Sequence, residues 1–89
     1  MDKVEFKEIV NNGIERGKDF MCVRIETEGN PRAETIINPS ENFASKISYY
    51  LKAYNERMEL KSAKESGKVI KITDVLMTSN LNDLSWFVY

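Results

Sequence analysis

Histidine is absent from this 89-residue chain, which removes the commonest general base, the commonest metal ligand and the usual partner of a nucleophilic serine or cysteine. A single cysteine, Cys22, excludes a disulfide within the chain; with no motif around it, it reads as a small, semi-buried thiol. The four glycines are isolated rather than gathered in a phosphate-binding loop, the fourteen carboxylates match no calcium-loop spacing, and no Cys/His cluster is present. The chain therefore reads as non-enzymatic, with no catalytic residue, metal or cofactor expected. A small hydrolase or nuclease is the last of the alternatives. No apolar run approaches the roughly 18 residues of a membrane span and no signal-peptide pattern is seen, so no membrane contact is expected and the cytoplasm is the expected compartment.

What is present is an ordinary globular composition, 42% hydrophobic and 30% charged, too rich in Ile, Val, Leu and aromatics for disorder. A chain this short supports one core, so residues 1–89 are expected to form a single α+β domain. The net charge of −1 hides an uneven spread: residues 1–42 carry nine acidic and six basic side chains, residues 43–73 three acidic and seven basic. The centre of the chain is thus a mildly basic segment.

The stretch from Asn38 to Met58 carries the fullest set of helix signals. Asn38 is placed as N-cap, Pro39 at the first helical position and Glu41 to reach back to the cap. At 100° per residue, Phe43, Ala44, Ile47, Tyr50, Leu51, Tyr54 and Met58 share one face, and Ser48, Tyr49, Lys52, Ala53, Asn55 and Glu56 the other. Before it, Asp2 with Glu5 resembles a capping box, and Phe6, Ile9, Val10 and Ile14 predict a helix over 3–16, ending at Gly13 or Gly17. Period-two alternation predicts a strand over Phe20–Glu26, followed by a turn at Glu28-Gly29-Asn30-Pro31 and a second strand over Ala33–Ile37.

After Met58 the pattern alternates, which predicts a third strand, although a helix continuing through Ser66 to a C-cap at Gly67 is the rival reading. Val69–Thr73 predicts a fourth strand and Ser85–Tyr89 a last one, inserted among the others of its sheet. The expected fold is α+β, two helices packed on one face of an antiparallel sheet of four or five strands, in the order α-β-β-α-β-β-β.

Candidate contacts are few. Lys46, Tyr49, Lys52, Arg57, Lys61, Lys64, Lys68 and Lys71 form a basic run with an aromatic on the polar side of the central helix, a pattern compatible with a nucleic-acid contact, yet Glu56, Glu59 and Glu65 are interleaved and a solvated face is the stronger reading. Tyr49, Lys52, Arg57 and Lys61, with Trp86 near the C-terminal end, are the residues singled out for a partner or nucleic-acid contact.

Ile25-Glu26-Thr27-Glu28-Gly29-Asn30-Pro31, Glu34-Thr35-Ile36-Ile37-Asn38-Pro39, Asn42-Phe43, Lys46, Tyr49-Tyr50, Ala53-Tyr54-Asn55 and Lys71-Ile72-Thr73-Asp74 together resemble a group of small uncharacterised proteins of phages and prophages of Gram-positive bacteria. The resemblance spans most of residues 20–89 and implies context without mechanism. It makes a phage or prophage accessory protein that acts by protein–protein binding the leading expectation. The partner would be a host or phage protein, a homodimer is included, and nucleic-acid binding through the basic centre is the alternative.

Overall fold

Asp2 opens the first helix. In the computed structural model, which describes residues 1–87, its carboxylate accepts the Glu5 backbone N–H at 2.8 Å. Helix α1 runs over Lys3–Glu15 and buries Phe6, Val10 and Gly13. Gly13 does not end it. A Cβ built there would collide with the Cβ and Cγ of Met77, so the glycine lets the helix lie directly against the strand that carries Met77. The stop comes at Gly17 (φ +69°), where the Gly17 and Lys18 N–H groups return to the carbonyls of Ile14 and Gly13, a Schellman ending.

Strand β1 (Phe20–Thr27) is central in a three-stranded sheet of order β2-β1-β3, with β2 (Glu34–Pro39) and β3 (Ile70–Thr78) antiparallel to it on either side. Alternation sends Met21, Val23 and Ile25 to one face. There they join Phe6 and Val10 of α1, Phe43 and Tyr50 of helix α2 (Phe43–Ala53), and Tyr54, Met58, Ile72 and Val75 in one core cluster. The rings of Phe6 and Tyr50 meet edge to face at 6.0 Å, as do those of Tyr50 and Tyr54. Full burial of side chains of this size stabilises by roughly 1.5 to 3 kcal/mol each, well above the ~1 kcal/mol of a helix cap.

Three strands overturn the expected sheet of four or five, and the order α-β-β-α-β-β-β with it. The segment expected as a third strand contributes only two isolated bridges, Glu59 to Lys71 and Leu60 back to Tyr54, the first flanked by the bonds Leu60 N–H to Ile70 C=O and Ile72 N–H to Met58 C=O. It then turns into helix α3 (Lys61–Glu65), composed of good helix formers with Ala63 as its one buried residue. α3 stops at Gly67 (φ +77°), with Gly67 and Lys68 N–H bonded to Lys64 and Ala63.

The last expected strand is overturned over residues 85–87 as well. Asn80 Oδ1 accepts the Asn82 N–H, the Thr78 hydroxyl lies 2.6 Å from the Asp83 carboxylate, and a 3-10 turn at Leu81–Asp83 leads into the short helix α4 (Leu84–Phe87). Local side-chain capping outweighs the strand propensity of Trp86 and Phe87. The remainder of that expected strand lies outside the described residues.

The central helix is shorter than its apolar pattern. Asn38 is not its cap but part of β2, opposite Met21, where its buried Nδ2 donates to the Met21 carbonyl at 3.1 Å. A 3-10 turn at Ser40–Asn42 precedes α2 instead. At the other end Tyr54 is extended, and Lys3 Nζ donates to the free Leu51 carbonyl at 2.9 Å, a cation closing a helix C-terminus.

Candidate functional site

The five residues singled out in the sequence are not brought together: Tyr49 and Lys52 lie on α2, Arg57 and Lys61 flank the segment along the outer edge of β3, and Trp86 is apart from all four. Tyr49 is 52% exposed on α2, with its ring set edge-on against Tyr50 at 5.5 Å. Lys52 is exposed in the last turn of the same helix, Arg57 in the loop beyond it, and Lys61 at the start of α3. Glu56 and Glu59 among them are engaged by Lys3 (3.9 Å) and Lys64 (3.1 Å), so acids are ion-paired within the basic segment. Trp86 lies elsewhere, against the opposite sheet face, where it lines a cleft with Phe87, Arg24 and Asp74.

That face is built by the other half of β1. Cys22, Arg24 and Glu26 alternate with the core residues, and the register sets Leu76 beside Cys22 and Asp74 beside Arg24 on β3. Between Arg24 and Ile25 the register slips by one, leaving Thr73 as the extra residue of a β-bulge. The bulge brings the Thr73 hydroxyl to 3.1 Å from Arg24 Nη1, which also donates to Glu26 Oε2 at 3.0 Å. Arg24 is thereby held with a side chain 23% exposed, and its Nε is buried without a hydrogen-bond partner among the described residues. Over this charged floor Phe87 is 4% exposed and Trp86 62%, their rings perpendicular at 6.2 Å. The cleft has a volume of about 240 Å³.

Cys22 is fully buried on the same face, and burial pushes its thiol above the ordinary thiol range, which keeps it in the inert form. Among the described residues no three Cys, Asp or Glu side chains converge as metal ligands, and no helix is long and apolar enough to cross a membrane.

Sequence reasoning singled out Trp86 but not its neighbours Arg24 and Asp74, since the cleft depends on a bulge with no sequence signature. It also passed over Ile36 and Ile37 of β2, which are 37% and 44% exposed. A signal for these two was available: adjacent residues of a strand point to opposite faces, so an Ile-Ile pair on a strand beside a one-sided core leaves one of them outside. Comparison with protein-family models, curated proteins and solved structures finds no match for this chain.

Proposed function

We propose that this chain is a non-catalytic accessory protein that binds another protein, in the phage or prophage setting its resemblance implies, and that the partner is gripped at the cleft between Trp86 and Arg24. The observation that carries this reading is the exposed indole of Trp86 standing beside a partly buried arginine whose guanidinium is already oriented by Glu26 and Thr73. Trp and Arg in a preformed pocket are the residue types that dominate binding energy at protein interfaces, because both offer large contact area at little ordering cost. A side chain inserted beside the indole would bury apolar area against Phe87, and a carbonyl or carboxylate would meet the remaining guanidinium N–H groups.

The test is affinity capture from infected or lysogenic cells with the wild type and with Trp86→Ala. A specific protein retained by the wild type and lost by Trp86→Ala, at unchanged melting temperature, supports the reading. The triple charge reversal of Lys52, Arg57 and Lys61 should leave that capture intact, because none of those residues lines the cleft. Capture that survives Trp86→Ala and fails with the triple variant would replace the cleft by the basic segment.

A further inference from the structure

Among the described residues β2 has a neighbour on one side only. Its other edge is paired by no segment among the described residues, whereas the outer edge of β3 is covered at Ile70–Ile72 by residues 58–60. The bond from Ser40 N–H to the Asp19 carbonyl, 2.9 Å long, continues the β1–β2 register by one step and decides which groups face where. In an antiparallel ladder hydrogen-bonded pairs alternate with non-bonded ones. Asn38, Ile36 and Glu34 therefore turn their backbone groups toward β1, and Thr35 and Ile37 turn theirs outward. Those outward donors and acceptors are flanked by Ile36 and Ile37, exposed on opposite faces of the same strand. No lysine, bulge or internal proline guards the strand; its only proline is Pro39, at the end.

We infer that the occupant of this edge is a second copy of the chain, paired β2 to β2 about a two-fold axis perpendicular to the sheet, so that two three-stranded sheets become one of six. Such an axis keeps each face on its own side, so only residues sharing a face can stand opposite one another. Thr35 and Ile37 share a face and both point outward. Setting Thr35 of each copy opposite Ile37 of the other makes two hydrogen-bonded pairs, four bonds in all, with Ile36 facing its own duplicate on the axis. Glu34 then stands opposite Asn38 rather than another Glu34, so no like charges meet. The alternative with Ile37 on the axis would oppose Thr35 to Pro39, which has no N–H, and leave the Thr35 carbonyl unbonded. Self-pairing thus satisfies the open backbone groups and covers both exposed isoleucines. It sets the Trp86 clefts of the two copies on one face, although it does not depend on their role.

The interface is one strand wide and small, so association is read by sedimentation velocity over about 5 to 500 µM. The wild type should pass from monomer to dimer in that range, with the Thr35 and Ile37 amides gaining hydrogen-exchange protection as the dimer forms. Ile36→Lys should remain a monomer throughout, because it sets two ammonium groups on the axis, and at about 5 µM, where the wild type is also monomeric, the two should share one melting temperature. Mixing Ile36→Lys with Ile36→Glu should restore a dimer, a rescue that only an axis through residue 36 produces. A wild type that stays monomeric throughout overturns the inference, as does a dimer indifferent to Ile36→Lys. Either result leaves the Trp86 capture experiment to stand or fall by itself.

Discussion

Asn55 holds Glu59 through three hydrogen bonds: its backbone N–H donates to the Glu59 carbonyl (2.9 Å), its Oδ1 accepts the Glu59 N–H (3.0 Å), and its Nδ2 donates to Glu59 Oε1 (3.1 Å). The same Oδ1 accepts the Arg57 N–H at 2.9 Å, so one side chain organises the loop that ends α2. Met58 is carried through that loop at φ +57° and delivered fully buried into the core.

Asn55→Ala removes the three side-chain bonds and should lower stability by about 2 to 3 kcal/mol, read by urea denaturation with an unchanged slope. A loss as small as that of an exposed helix residue such as Lys52→Ala, under about 0.5 kcal/mol, would mean that packing of Met58 holds the loop without Asn55.

Glu59 supplies an acid-side signature. Hydrogen bonds from Asn55 and Lys64 hold its carboxyl below the ordinary carboxylate range. Because the folded value is the lower one, the stabilisation is present above the unfolded pKa and is lost as pH falls through the folded value. A carbon-detected titration of the Glu59 carboxyl should show the depressed midpoint. Asn55→Ala should move it upward; an unmoved midpoint would assign the shift to the cations Lys64 and Arg57.

Tyr54 supplies the alkaline counterpart. Burial first, then the neighbouring phenols of Tyr49 and Tyr50, push its hydroxyl up to about 12. The folded value is the higher one, so its contribution is complete below the unfolded tyrosine pKa of about 10 and is lost as pH rises from there toward about 12. Tyr54 should contribute a fall of about 2 kcal/mol across that window, so Tyr54→Phe should reduce the slope, leaving the part due to Tyr50, whose hydroxyl is likewise pushed up by burial. Equal slopes in the two proteins would show that Tyr54 is not the group responsible.

Gly13→Ala tests the approach of α1 to the sheet. On an exposed helix the change would stabilise by about 1 kcal/mol through propensity alone. Here the new methyl meets Met77, and overpacking should reverse the sign to a net loss of about 1 to 3 kcal/mol. The double variant Gly13→Ala with Met77→Ala should regain part of that loss; a stabilised single variant would place α1 farther from β3.

Much of the local architecture was legible in the residues. Asp2 with Glu5, and Gly17 four residues after Gly13, bound α1. The alternation of Met21, Val23 and Ile25 assigned the buried face of β1, whereas a helix ending at Gly67 was open in the residues only as the rival to a third strand. These signals concern residues within a turn or two of one another, where capping geometry and periodicity act directly. Only tertiary structure decided the rest. Asn38 has the chemistry of an N-cap, but its amide is worth more to the Met21 carbonyl across the sheet than to a helix start. Residues 58–60 alternate like a strand yet pair over three residues before α3 begins. Trp86 and Phe87 have strand propensity, but Thr78, Asn80 and Asp83 cap the turn that makes them helical, and a bulge at Thr73 decides that Arg24 lies beneath them. Each of these is a choice between two locally adequate conformations, and partners distant in the chain settle it by burying one and leaving the other unpaired.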